Sequence, residues 1–374
     1  MTDTTRDLLP EGLEDRLPQA TAAATRITRA LMDVFDAHGY DRVQPPSIEF
    51  EAPLASRMAG ISPRRMFRFV DPASLGMLAL RSDITPQVGR IAVTRLAGAA
   101  RPLRLAYGGQ VLTIKGDGLD PTRERLQLGV ELIGADSVAA AAEIVAVAVE
   151  ALVAAGATGL SVDFTLPDLV DTLAAGPLPL PAGAIDAVRA ALDAKNASAL
   201  VEAGGQAYLP LLYATGAFEP ALERLGQLPA GGALEGRIAA LRQIAARVAG
   251  KARLTLDPTE RHGFEYQSWF GFTLFAEGLR GSVGRGGTYR ILGAEGTAGE
   301  PATGFSLYPD PLIDALAAAE PARAALFLPL GHDEAAAAAL RAAGWRTVAA
   351  LGEGDAAAAL GCSHVLQGAK AVLA

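Results

Sequence analysis

Residues 103–134, LRLAYGGQVLTIKGDGLDPTRERLQLGVELIG, constrain the fold more than any other stretch of the chain. The second half alternates without a break. Leu126, Leu128, Val130 and Leu132 fall on one side of an extended chain, and Arg125, Gln127, Gly129 and Glu131 fall on the other. Period two over that length specifies a strand with one face in a core. The stretch as a whole reads as two strands joined by a long loop, because residues 115–121, KGDGLDP, are turn formers that continue neither strand. The face opposite the leucines has two readings. An amide, a gap at Gly129 and a carboxylate in a row make a floor for a small ligand bearing an amine, or the same residues form an ordinary solvated face.

The chain has 374 residues, enough for two or three domains. No uninterrupted apolar run is long enough to span a bilayer, and the polar, acidic start MTDTTRDLLPEGLEDRLP resembles neither a secretory nor a transit peptide. One cysteine, Cys362, cannot form an internal disulfide, so a cytoplasmic location is expected. Four scattered histidines (His38, His262, His332, His364) have no zinc-site spacing. The net charge of −8 argues against a nucleic-acid partner, which would need Lys and Arg to neutralise phosphates. There is no phosphate-binding GxxxxGK[ST], and Gly284-Arg-Gly-Gly does not open a dinucleotide-binding unit. No cofactor, metal or catalytic nucleophile is expected.

In chain order, helix is predicted over 20–38, with Ile27, Leu31, Val34 and Phe35 on one face. An extended piece over 41–50 carries Pro45-Pro46, which forbid helix. Strands follow at 66–70 and 78–80, then helix at 86–96, the hairpin, helix at 137–155 and strand at 160–165. An alanine-rich helical insertion spans 167–250. Strands at 254–256 and 268–275, a glycine-rich turn at 284–289 and a helix at 309–319 complete the larger part. After a composition break at Glu320-Pro321 comes a small α/β unit: strand 324–330, helix 334–343, strand 346–351, helix near 356–360 and strand 364–367. Hairpins and meanders backed by helices specify an α+β plan, not a doubly wound parallel fold. Two domains are expected, 1–320 and 321–374.

Five ordered segments carry a resemblance. HGYDRVQPPSIEF (38–50), LRSDITPQVGRIA (80–92), YGGQVLTIKGD…TRERLQLGVELIG (107–134), YQSWFGFTLFA (266–276) and GRGGTY (284–289) resemble the catalytic core of the class II aminoacyl-tRNA synthetases, in their histidyl-tRNA synthetase branch. The resemblance covers roughly residues 8 to 316. It implies a six- or seven-stranded antiparallel sheet with flanking helices, in a protein that is usually dimeric. In that family the second class motif carries an arginine and then a glutamate for the nucleotide. Those positions are Thr113 and Lys115 here, and a hydroxyl cannot replace a bidentate guanidinium on a phosphate. The third class motif needs an arginine near residues 302–309, and the nearest is Arg290. Loss of one such donor typically costs on the order of a hundred-fold or more in rate. The small C-terminal unit is about half the expected anticodon-binding domain.

The wording of residues 80–92 and 122–134 is closer to a second family, the ATP phosphoribosyltransferase regulatory subunits. These resemble synthetases but do not charge tRNA, and assemble with a short-form catalytic subunit at the first step of histidine biosynthesis. That resemblance implies a non-catalytic subunit, L-histidine as feedback effector, a homodimer within a hetero-oligomer, and neither tRNA nor membrane as partner. It implies a histidine site built from Asp83, Thr85, Tyr107, Thr113, Gln127, Glu131, Arg261, Tyr266, Gln267 and Tyr289. A partly buried ammonium needs carboxylate and amide acceptors to offset its desolvation, which this set provides. Asp83 also stands where a helix cap would, and either Arg261 or His262 fills the arginine position. Trp269 replaces the family's glycine and either occupies ligand space or packs in the core. Thr273 and Arg290 are further departures. The competing functions are a divergent histidyl-tRNA synthetase and an orphan amino-acid-binding protein.

Overall fold

A computed structural model describes residues 9–56, 66–116, 121–181, 183–261, 267–292, 299–319 and 324–374. It divides into two compact units, Met1–Ala318 and Ala319–Ala374.

In the larger unit α1 (Pro18–Ala37) starts on a proline, whose missing donor is harmless in a first turn, and buries Ala23, Ile27, Leu31 and Phe35 at intervals of four residues. On either side of Pro45-Pro46 lie β1 (Asp41–Arg42) and β2 (Ile48–Phe50). Next come α2 (Glu51–Ser56), β3 (Arg68–Val70), β4 (Met77–Leu80) and α3 (Thr85–Thr94). The expected hairpin is β5 (Leu103–Leu112) and β6 (Glu124–Ile133), paired antiparallel along its whole length. Then follow α4 (Val138–Ala154), capped by Ser137, and β7 (Ser161–Thr165).

The insertion is helical as expected: α5 (Leu169–Ala174), α6 (Ala184–Asp193), α7 (Ala197–Glu202), α8 (Leu209–Tyr213), a two-residue β8 (Gly216–Ala217), α9 (Phe218–Gly226) and α10 (Glu235–Arg247). The chain returns through β9 (Arg253–Leu256), β10 (Gln267–Phe275), β11 (Gly284–Ile291), β12 (Glu300–Leu307) and α11 (Asp310–Ala319).

The main sheet has nine strands in the order β1-β5-β6-β12-β11-β10-β7-β9-β8. From β5 to β7 every pairing is antiparallel, which is the expected sheet. Short β1 joins one edge and β9 the other, both in parallel, so the whole sheet is mixed. β2, β4 and β3 form a separate three-stranded sheet.

One expectation is overturned here. Residues 284–289 are the body of β11 and not a turn. Their glycines answer crowding between strands: a Cβ on Gly286 would lie 2.6 Å from Phe305 Cβ, and one on Gly287 would overlap the Gln267 carboxamide. The core on one side of the sheet packs Leu128, Val130, Phe164, Phe270, Phe272 and Phe305 against α1 and α4. On the other side α3 contributes Ile84, Val88 and Ala92 to a smaller cluster with Tyr107, Ile133 and Tyr289.

The smaller unit contains β13 (Ala325–Leu328), α12 (Glu334–Ala342), β14 (Arg346–Ala349), β15 (His364–Gln367) and β16 (Lys370–Leu373), in the sheet order β14-β13-β15-β16. The helix expected near 356–360 is a single turn. Asp355 Oδ2 accepts from the Leu351 and Gly352 amides, and Gly361 at φ 66° ends the turn after four alanines and a leucine, too few to repay helix nucleation.

Candidate functional site

Residues paired across a sheet point to the same side, so the registers define the site. One row runs Tyr107, Gly129, Ser306, Arg285 over β5, β6, β12 and β11. The next runs Leu105, Glu131, Gly304, Gly287. Both lie on the α3 side. The non-leucine face of β6 is therefore no solvated surface: Gln127 and Glu131 are 0% and 1% exposed.

Buried polar groups must find partners, and these find one another. Gln127 donates from Nε2 to Asp83 Oδ1 (2.8 Å) and to Ser306 Oγ (2.8 Å), while its Oε1 accepts from the Ile84 amide (2.9 Å). Its hydrogen-bonding capacity is thus spent on orienting Asp83 and the start of α3. Asp83 Oδ1 also accepts from the Thr85 amide (2.9 Å), so Asp83 holds the turn that enters α3, one residue before the N-cap Ile84, and belongs to the cluster at once. The Tyr107 hydroxyl donates to Glu131 Oε1 (3.0 Å) and lies 3.0 Å from Ser306 Oγ and 3.1 Å from Thr85 Oγ1. Tyr289 donates to Glu131 Oε2 (2.7 Å). The apparent gap at Gly129 is filled by Tyr107, whose hydroxyl would lie 2.5 Å from a Cβ there.

Burial pushes the Glu131 carboxyl up to about 8, against the pull of the Tyr289 and Tyr107 hydroxyls and with the Asp83 charge adding to the rise. Burial likewise holds the Tyr107 phenol well above its ordinary value, helped by the charges of Glu131 and Asp83. Tyr308 is pushed up to about 12 by burial and Asp83, opposed by Arg285, the Ser306 hydrogen bond and Arg125. Two cations therefore do approach this face, from β11 and from the start of β6.

The structure brings together Asp83, Thr85, Tyr107, Gln127, Glu131 and Tyr289. Gln267, 9% exposed, lies over Gly287 in the neighbouring part of the same face. Thr113 does not join them. It stands six residues beyond Tyr107, about 20 Å along an extended chain, and its hydroxyl donates to the Lys115 carbonyl (2.9 Å). Arg261 has no hydrogen bond to the cluster among the described residues: its amide donates to Asp193 Oδ1 (3.0 Å) at the end of α6, and its charge is felt by Arg189 of the same helix. Tyr266 and His262 lie outside the described residues. Trp269 leaves the ligand face clear, packing on Phe270 and the large core with its indole donating to the Asp136 carbonyl (2.9 Å).

Sequence reasoning missed Ser306 and Arg81. Ser306 belongs to the alternation Ala302, Gly304, Ser306, the only local signal for it. Arg81 is buried, donating to the Gln110 (2.7 Å) and Pro45 (3.0 Å) carbonyls while lying against Gly109. Among the described residues no cluster of three or more His, Cys, Asp or Glu could hold a metal ion, and no helix is long and apolar enough to cross a membrane.

A family model described as histidyl-tRNA synthetase matches residues 12–312. An ATP phosphoribosyltransferase regulatory subunit of Paramagnetospirillum magneticum is 44% identical over 92% of this chain and 91% of its own. One from Rhodospirillum centenum is 42% identical over 97% and 95%. The chain belongs to the ATP phosphoribosyltransferase regulatory subunit family.

Members of this family and the synthetases share one fold. A Bacillus halodurans structure described as an ATP phosphoribosyltransferase regulatory subunit/histidyl-tRNA synthetase superposes with a TM-score of 0.80 at 23% identity, covering 96% of this chain and 97% of that one. Histidyl-tRNA synthetase from Nostoc gives 0.77 at 18% identity, covering 96% and 90%. At such identities the likeness concerns the fold alone. The regulatory-subunit fold here thus retains a synthetase-like sheet, with a buried polar cluster on the α3 side.

Proposed function

We propose that this chain is the non-catalytic regulatory subunit of a hetero-oligomeric ATP phosphoribosyltransferase, acting in the cytoplasm at the first step of histidine biosynthesis, with L-histidine as its effector. The family's name points to a catalytic subunit as partner, and the proposal takes it to be the short form. One observation supports the effector. Asp83 and Glu131 are two carboxyls within electrostatic reach of each other, and the leading influences on Glu131 among the described residues are burial, the neighbouring hydroxyls and the Asp83 charge. A ligand bringing a protonated nitrogen relieves that arrangement.

Adenylate chemistry is disfavoured because position 113 offers a hydroxyl that is already used locally. In the proposed assembly this chain is a homodimer, by the frequency of twofold symmetry, and takes no tRNA. It comprises a core of residues 1–320 and a C-terminal domain of residues 321–374. Histidine binds one state of the complex more tightly, and the catalytic subunit's substrates weaken histidine binding by the same factor.

The test is co-purification with the catalytic subunit, then phosphoribosyl transfer with and without histidine. Association and histidine-dependent inhibition are expected; a chain that neither associates nor changes the rate refutes the proposal. The rival reading draws on Arg125 and Arg285, which bring positive charge to the ligand face. Measurable ATP–pyrophosphate exchange by the purified chain would establish it.

A further inference from the structure

Arg81 follows β4 directly and stands two residues before Asp83. Its guanidinium spans two carbonyls, Nε donating to Gln110 (2.7 Å) near the end of β5 and Nη1 to Pro45 (3.0 Å) between β1 and β2. The backbone repeats the tie. The Arg81 amide donates to the Ser47 carbonyl (3.1 Å), and the Arg81 carbonyl accepts from the Leu112 amide (3.0 Å). One residue is thus fastened to the β1–β2 link on one side and to β5 on the other. The fit is close against β5, where a Cβ on Gly109 would overlap Nη2.

A buried guanidinium bonded only to neutral carbonyls lacks a contacting carboxylate to offset its desolvation. Among the described residues Arg81 forms no ion pair. Burial holds its guanidinium below the ordinary value, opposed by the charge of Glu49, which is itself held by both Nε and Nη2 of Arg90. Such a residue serves geometry before stability, and the geometry nearest to it is that of Asp83. The side chain of Ile84, the N-cap of α3, makes no capping bond. The entry to the helix is held from outside by Gln127, which accepts from the Ile84 amide and donates to Asp83. Gln127 fixes where the Asp83 carboxylate ends, and Arg81 fixes where the chain that carries it begins. We propose that Arg81 is a positioning residue for the effector: by pinning the β4–α3 connection it places the Asp83 carboxylate, and so sets histidine affinity without touching histidine. The inference rests on the histidine-effector reading and adds a residue that governs the site from outside it.

Charge and position predict opposite signs. Removing a cation near a site for a protonated ligand strengthens binding by Coulomb's law alone. Loosening Asp83 weakens it. Lysine separates the two effects further, because an ammonium keeps the charge without reproducing the planar fork that spans both carbonyls.

The experiment is calorimetric titration of full-chain variants with L-histidine, with near-UV circular dichroism and denaturant midpoints to establish that each is folded. Arg81→Met and Arg81→Lys are both expected to weaken histidine at least about tenfold, as a displaced binding group does. In an Asp83→Asn background Arg81→Met is expected to add less than about twofold, because its effect passes through that carboxylate. Gly109→Ala, which crowds Nη2, is expected to weaken histidine in the parent and to add less than about twofold in an Arg81→Met background. If Arg81→Met does not fold, Arg81→Lys takes its place in both cycles. If Asp83→Asn leaves no binding to measure, the Gly109 cycle decides. A folded Arg81→Met variant that binds histidine as tightly as the parent or more tightly, or losses that multiply in the double variants, would overturn the inference alone. No histidine binding by the parent, by itself or with its catalytic subunit, removes the effector reading and this inference with it.

Discussion

At β6 the two sides of the main sheet are equally buried and are held in opposite ways. On β6, Leu128 and Val130 face the helices α1 and α4, and Gln127 and Glu131 face α3; all four are essentially without exposure. The helix side is held by shape and apolar area, with Phe164 against Phe218 and Phe270 at 5.6 and 5.7 Å between ring centres. The α3 side is held by hydrogen bonds among groups that water would otherwise serve. Non-directional contacts tolerate exchange of similar volumes, whereas a buried polar network is all or nothing. The contrast offers a way for a family to diverge in chemistry while keeping a fold: the larger apolar core packs on the α1 and α4 side, apart from the α3 side where the proposed effector site lies.

Substitutions on either side test this division. Phe164→Ala is expected to be the most damaging, lowering unfolding free energy by about 3–5 kcal/mol through the cavity it leaves. In protein that remains folded, histidine affinity is expected to change little; denaturant titration and calorimetry read the two effects separately. Glu131→Gln should do the reverse. The native carboxyl titrates near 8, above its ordinary 4.5, so its contribution to stability is complete below about pH 4.5 and is lost as pH rises toward 8. The variant cannot titrate. It is expected to match the parent near pH 5 and exceed it near pH 8 by a few kcal/mol, while losing histidine binding; denaturant midpoints at the two pH values check this.

Gln127→Leu leaves Asp83 and Ser306 short of a donor and the Ile84 amide without its acceptor. A loss of about 1–3 kcal/mol is expected, with weaker histidine binding through a displaced Asp83, again by denaturant titration and calorimetry. Thr113→Ala should be smallest, within about 0.5 kcal/mol and without effect on histidine affinity. An affinity loss in that variant would extend the ligand site well beyond the cluster and blur the contrast between the two sides.

Much of the fold was legible because its signals are local. The alternation from Leu126 to Leu132, the helical spacing of Ile27, Leu31 and Phe35, and the run of short helices after Pro167 each reflect a few residues acting on their neighbours. Where the local signal was ambiguous the reading failed: Gly284 to Tyr289 carries turn residues yet lies in a strand, and the alanines from Ala356 were too few to hold a helix. The site was half legible. Asp83, Thr85, Tyr107, Gln127, Glu131 and Tyr289 came together, Thr113 and Arg261 make no bond to them among the described residues, and Trp269 packs on the opposite side of the sheet.

By itself the sequence determined most of the helices, the central hairpin and their order, and the alternation that puts Gln127 and Glu131 on the face of β6 opposite the leucines. Those properties depend on side chains within a few positions of one another. Tertiary structure decided that Glu131 lies over Gly304, that Gln267 lies over Gly287, and that Ser306 completes the network. Five strands had to pair in one register before residues up to 199 positions apart could meet, and register is a property of the assembled sheet.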